Sequence, residues 1–237
     1  MVDPVQVRPD LSTIGFRVVT NVPRAPKALV DAFKDCPTTD IADVVTKMFT
    51  MSSAIRPLYE PIKRIAGSAV TVRVPPGDNL MVHAALSYAG DGDVIVVDAR
   101  GETEYCLGGA LMGGIAQHSG VRGFVLDGAY RDGYELRKIG FPVFARGLQP
   151  RPPRKLGPGE INTVIQCGGV PVHPGDVVVA DEEGVAVIPF EYAEAVLDKV
   201  RQRGRTDSSR WGDLTKWETE HRTNYEKLLK DLGCRMD

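Results

Sequence analysis

The chain has 237 residues, 43% hydrophobic and 25% charged, which suits one sizeable core or two small ones in an ordinary water-facing globular protein. A formal net charge of -2 argues against a nucleic-acid or membrane-surface partner, and no apolar run is long enough to span a bilayer. Cys36, Cys106, Cys167 and Cys234 are far apart and form no CxxC pair, which argues against a zinc framework or a disulfide scaffold. The start MVDPVQVRPDLS lacks the basic-then-apolar pattern of a secretory signal, so a cytoplasmic location with reduced thiols is expected.

Residues 1–25 mix Pro, Arg and Val without periodicity and read as an N-terminal arm. Thr39 ahead of Asp40 and Asp43 is a helix-start signal. Residues 67–74 alternate small or apolar with polar side chains and stop at Pro75-Pro76, which predicts a strand. Asn79 to Tyr88 has helical spacing. Val94 to Asp98, after Gly92-Asp93, reads as a buried strand. A helix over Gly109 to Ser119 and a second buried strand over Phe124 to Asp127 follow. A short helix at Glu135 to Ile139 and a strand at Pro142 to Ala145 complete an alternating pattern, which argues for a layered α/β core with parallel pairing. After the Pro-rich stretch Gln149 to Arg154, short strands at 164–167, 170–172, 177–181 and 185–189 are separated by Gly turns. Glu191 to Arg203 reads as a helix, and the tail from Trp211 to Leu232 is charged and amphipathic, with Leu214, Trp217, Tyr225, Leu228 and Leu229 as its apolar residues. The division expected is an arm (1–25), one compact α/β domain (26–205) and a helical tail (206–237).

Two segments carry candidate chemistry. Gly108-Gly109-Ala110-Leu111-Met112-Gly113-Gly114 puts four glycines immediately ahead of and inside a helix. Amides at a helix start bind carboxylates or phosphates; close packing of the helix on a sheet requires the same small residues. Neither a P-loop nor a dinucleotide fingerprint is present. The second segment, Asp127 to Gly133, follows a buried strand, where α/β sheets gather ligands. There Arg131 can pin a carboxylate with its planar fork, and Asp132 is a hard oxygen ligand suited to Mg2+ or Mn2+. An Arg-Asp neighbour pair is also the signature of a plain surface ion pair, and Asp127 of a turn before Gly128. His83, His118, His173 and His221 have no zinc-site spacing, no Gly-x-Ser-x-Gly elbow occurs, and Lys138 has the context of an exposed helix end rather than of a Schiff base.

The chain resembles the family that contains the 4-hydroxy-4-methyl-2-oxoglutarate / 4-carboxy-4-hydroxy-2-oxoadipate aldolases and the regulator of ribonuclease E activity A. The resemblance rests on Gly109 to Met112, Gly120-Val121-Arg122-Gly123, Asp127 to Asp132 and Gly140 to Ala145, flanked by Gly67 to Val72, Asp78 to Leu80, Pro174 to Asp176 and Ala180 to Val185. It implies a β/β/α swivelling-type fold, a homotrimer or homohexamer with sites at subunit boundaries, and a 2-oxo acid substrate. It implies that Arg131 contacts pyruvate, that Asp132 holds Mg2+ or Mn2+, and that Gly109, Ala110, Leu111 and Met112 form the substrate-binding run, with the amides of Leu111 and Met112 on the carboxylate. It further implies a glutamate from a neighbouring subunit acting through water, matched here by Glu218 or Glu220. The implied reaction is a pyruvate-releasing lyase, with oxaloacetate decarboxylation sharing the same enolate. One departure is Ala110, where aldolase members often carry an acidic residue. Regulator members typically lose the aspartate after the arginine, and this chain keeps Asp132. The alternative is a non-catalytic regulator that binds a ribonuclease or helicase. A methyltransferase lacks support, because no glycine-rich strand-to-helix turn with an acidic ribose ligand is present.

Overall fold

The structure, a computed structural model, describes residues 13–211 and 213–235. Residues 1–12 of the expected arm lie outside the described part. From Phe16 the arm is not unpatterned: β1 (Phe16–Val18) pairs in parallel with β8 (Gly159–Ile161). Next come α1 (Lys27–Asp31), α2 (Thr38–Val44) and a short β2 (Arg56–Pro57). Thr39 does not cap α2. The helix begins one residue earlier, and Thr38 donates through its backbone N–H (3.0 Å) and its hydroxyl to the buried Asp181.

The centre of the molecule is β3 (Ile65–Arg73), α3 (Leu80–Ala85), β4 (Asp93–Cys106), α4 (Ala110–His118), β5 (Gly123–Tyr130), α5 (Gly133–Ile139) and β6 (Val143–Ala145). The four strands are parallel neighbours, and each helix is the crossover between consecutive strands. Side chains alternate across a strand, so both faces of such a sheet must be apolar. One face carries Val70, Val72, Ile95, Val97, Phe124 and Leu126 towards the helices. The other carries Ala69, Val94, Val96, Val125 and Phe144. Each fully buried side chain of this size contributes roughly 1.5–3 kcal/mol.

The remaining strands cover that second face and one edge. β7 (Gly147–Leu148) pairs with the end of β5. The hairpin of β9 (Ile165–Cys167) and β10 (Val170–Val172) places Ile165, Cys167, Val170 and Val172 on the second face. Hairpin, sheet and helices therefore stack as β/β/α layers, the mixed α/β single domain expected. β3 is long enough to take two antiparallel partners on one edge: β11 (Val177–Asp181) at Ile65 to Ser68 and β8 at Val72 and Arg73. β12 (Gly184–Ile188) extends the sheet beyond β11. A third core wraps this edge, with Phe33, Ile41 and Leu197 packed on Val179 and Ile188.

α6 (Ala193–Trp211) and α7 (Leu214–Asp231) close the chain. The expected boundary at 205/206 falls inside α6. Leu214, Tyr225, Leu228 and Leu229 of the tail are exposed in the single chain. No helix of the described residues is long and apolar enough to cross a membrane.

Candidate functional site

β5 runs three residues further than the alternation suggested. Asp127 is inside the strand rather than in a turn, ion-paired with Arg146 and accepting from the Gly168 N–H at 2.9 Å. The strand continues through Gly128-Ala129 because β4 also continues. Its pairing slips first between Asp98 and Glu102, around Arg100 (φ +58) and Gly101 (φ +75), and again between Glu102 and Cys106, which stands opposite Ala129. This bulge delivers the chain to Leu107, Gly108 and the start of α4, directly beside the end of β5.

Three hydrogen bonds join the two segments. The Arg131 N–H donates to the Gly108 carbonyl at 3.1 Å. The Tyr130 hydroxyl, fully buried, donates to the Gly109 carbonyl at 3.0 Å. The Ala110 N–H donates to Asp132 Oδ2 at 3.0 Å. Arg131 Nε stands 3.7 Å from the same carboxylate oxygen. Their side chains are 45% and 41% exposed, so both charges face solvent from one point of the surface. Asp132 adopts a left-handed backbone, φ +62, which an aspartate tolerates better than most residues and which turns the strand into α5. Arg131 and Asp132, drawn from the end of β5, and Gly109 and Ala110, from the start of α4, thus stand together in space.

The glycines divide between the two roles left open by the sequence. A Cβ on Gly113 would meet Leu136 Cδ2 at 2.9 Å, so Gly113 serves the packing of α4 on α5. A Cβ on Gly109 would lie 2.2 Å from Asp132 Oδ2, so Gly109 serves the site. Leu111 is 81% exposed, whereas Met112 is buried. The backbone N–H groups of Leu111 and Met112 make no hydrogen bond among the described residues. Two unspent amides at the positive end of a nine-residue helix whose first residues adjoin Arg131 in space are suited to a carboxylate.

Tyr130 carries no role in the sequence reading, yet it supports the whole turn. Its ring fills the space a Cβ on Gly108 would need, at 2.6 Å from Cε2. Burial pushes its hydroxyl pKa well up, with the Asp132 charge adding to the effect, so it stays a neutral donor. The only sequence signal is a bulky aromatic closing a strand whose last residues are otherwise small. Asn79, ahead of α3, holds the Leu107 carbonyl through its side-chain amide at 2.8 Å.

Glu218 and Glu220 are not brought to this site within one chain. They sit on α7 beside Arg222 (2.8 Å) and Lys216 (3.9 Å), and no ion pair links them to Arg131 or Asp132 among the described residues. No group of three metal-ligating side chains occurs among the described residues. Asp132 still suits a hard divalent ion. Mg2+ commonly keeps several waters and takes only one or two carboxylates together with substrate oxygens. Of the Asp132 carboxylate, Oδ2 is held by Ala110 and Oδ1 has no hydrogen bond among the described residues.

The family described as RraA-like, Aldolase/RraA, matches residues 38–187, which include every segment of this site except α7. A protein of Halalkalibacterium halodurans named "Putative 4-hydroxy-4-methyl-2-oxoglutarate aldolase" is 41% identical over 181 residues, covering 76% of this chain and 86% of the relative. The solved RNA-processing inhibitor RraA from Thermus thermophilis is 31% identical with a TM-score of 0.60, over 65% of this chain and 93% of that one. An uncharacterized protein from Pseudomonas syringae pv. tomato shares the fold, with a TM-score of 0.70 at 22% identity, over 79% and 92% of the two chains. The Arg131–Asp132 pair docked on the α4 amides therefore belongs to a chain of the Aldolase/RraA family.

Proposed function

We propose that the chain is a divalent-metal-dependent lyase that cleaves 2-oxo acids to release pyruvate. The observation that carries the reading is the retained Asp132, held by the Ala110 amide beside Arg131 and two unspent helix amides. A bound Mg2+ or Mn2+ would supply Lewis acidity at the 2-oxo oxygen, with Asp132 as its ligand in this chain. Arg131 and the amides of Leu111 and Met112 hold the C1 carboxylate and fix the orientation of the C3–C4 bond. When that bond breaks, its electron pair passes into the enolate of pyruvate, whose negative charge faces the same donors. A retro-aldol cleavage also requires a group to take the C4 hydroxyl proton. Ala110 cannot do this, whereas oxaloacetate decarboxylation needs no such base.

We further propose a trimer or a pair of trimers with the site at a subunit boundary. Leu111 and Ile115, one turn apart on α4, are exposed, and so are Tyr134 and Leu148 around the start of α5. A neighbouring subunit seated there would bury this apolar rim and bring Glu218 or Glu220 to the water around the ion.

A panel of 2-oxo acids, including 4-hydroxy-4-methyl-2-oxoglutarate and oxaloacetate, assayed for pyruvate release with and without Mg2+ or Mn2+ tests the reading. Metal-dependent release is expected. The likeness to the Thermus inhibitor favours the rival, a non-catalytic regulator of a ribonuclease or helicase. Absence of release across the panel, with capture of such a partner, would establish the rival instead.

A further inference from the structure

A cleft of about 440 Å3 lies at the other ends of α4 and α5. Gln117, near the last turn of α4, and Gly140, just past α5, both line it, whereas Ala110 and Asp132 stand at the first turns of these helices. The cleft is therefore separate from the Arg131 site.

Its floor is apolar. Ile65, Val121 and Phe141 line it and are each less than 5% exposed. Its rim is cationic, with Lys34, Lys63, Arg64 and Arg122 converging from three separate parts of the chain on a single lining carboxylate, Asp35. The ion pairs behind the rim leave it positive. Asp31 serves Lys34 at 3.0 Å and Arg122 together, and also Lys27 at 3.0 Å. Arg64 donates from Nε to the buried Asp181 at 3.0 Å. Four rim cations thus meet three carboxylates, Asp31, Asp35 and Asp181. Lys63 makes no ion pair or hydrogen bond among the described residues, and neither terminal nitrogen of Arg64 makes a hydrogen bond among them.

Arg64 is also held in place in advance. Asp181 is itself anchored by the Thr38 N–H at 3.0 Å and by the Glu183 N–H at 3.1 Å. A guanidinium fixed from behind, with its outer nitrogens unspent, loses little freedom when an anion arrives. A cationic rim over an apolar floor is the pattern of a pocket that orients an amphipathic molecule by its charged end.

We propose that this cleft binds a small organic anion, its carboxylate or phosphate head on Lys63 and Arg64 and its apolar body on Ile65, Val121 and Phe141. Ligand-observed fluorine NMR on the full chain tests this, with 4-fluorobenzoate and 4-fluorophenyl phosphate as probes and 4-fluorobenzyl alcohol as the uncharged control. One or both anions should bind, and the tighter of the two identifies the head. The alcohol should bind about tenfold more weakly or worse. Lys63→Glu, at an exposed position, should weaken the anions by about tenfold. Arg131→Ala, which removes the cation of the other site, should leave their affinity unchanged whether or not the chain is a lyase. The proposal is overturned if the alcohol binds as well as the anions, if Lys63→Glu has no effect, or if Arg131→Ala removes binding. No binding of either anion at about 10 mM, ten times a 1 mM dissociation constant, would also overturn it.

Discussion

Replacing Gly109 by alanine tests the contact on which the proposed site depends. The backbone at Gly109 is extended, φ -152 and ψ -171, so an alanine there is not strained by its own conformation. The new Cβ would instead lie 2.2 Å from Asp132 Oδ2 and 3.1 Å from Arg131 Cγ and Nε. Ordinary contacts begin near 3.4 Å, so the carboxylate must retreat by about 1 Å, which breaks its 3.0 Å hydrogen bond from Ala110. A hydrogen bond to a charged group is worth roughly 1.5–3 kcal/mol. At about 1.4 kcal/mol per factor of ten, kcat/KM for metal-dependent pyruvate release should fall roughly 10- to 150-fold. Stability should change far less, because water reaches the 41% exposed carboxylate once it moves. Gly114, on the same helix with nothing within 4 Å of its virtual Cβ, is the matched control. Gly114→Ala should stabilise by about 0.5–1 kcal/mol and leave turnover intact. Pyruvate release coupled to lactate dehydrogenase, with thermal melts of both variants, measures the two quantities. Wild-type kcat/KM in a folded Gly109→Ala protein would refute the reasoning that Asp132 must sit on the α4 amide.

Arg131→Lys keeps the charge but loses the planar fork, so kcat/KM should fall by roughly 1.5–3 kcal/mol in transition-state binding; unaltered steady-state kinetics would show that Arg131 does not orient the carboxylate. Asp132→Ala should abolish metal-dependent turnover, Asp132→Asn should weaken metal binding less, and chelation of the wild type should reproduce the alanine variant until Mg2+ or Mn2+ is returned. Full activity after chelation would rule out the metal-assisted route. Tyr130→Phe removes the hydroxyl that donates to Gly109, a loss of about 1 kcal/mol that should lower Tm by about 2–4 °C in a chain of this size; an unchanged melt would mean that the turn does not depend on this bond. Lys34, then Lys27, then Arg122 hold the Asp31 carboxyl far below its usual range. Its folded-state pKa is depressed, so its stabilisation is full above the ordinary value of 3.8 and is lost as pH falls below it. Asp31→Asn should therefore flatten the acid side of a Tm-against-pH curve, and parallel curves for the two proteins would contradict that assignment.

Much of this protein is decided locally and could be read from residue order. The alternation of β3, α3, β4, α4, β5, α5 and β6 shows in the change of apolar period and in the Gly turns between runs, features set within a few residues of one another. The location of Arg131 and Asp132 after a buried strand is of the same kind. What the sequence concealed depends on distant partners. The second half of β4 is a polar run, Arg100 to Tyr105, with no strand period, and it pairs only because β5 lies beside it. β1 and β8 are three-residue strands paired across 143 residues, and β8 is held in turn by β3. Ala110 meets Asp132 across 22 residues, Tyr130 reaches back to Gly109 across 21, and Arg64 finds Asp181 across 117. Periodicity reports which face of an element is apolar, and it does so from neighbours in the chain. Which amide a carboxylate meets, and which cations share a cleft, follow only when the sheet order and its bulges close those loops, so tertiary packing alone decided them.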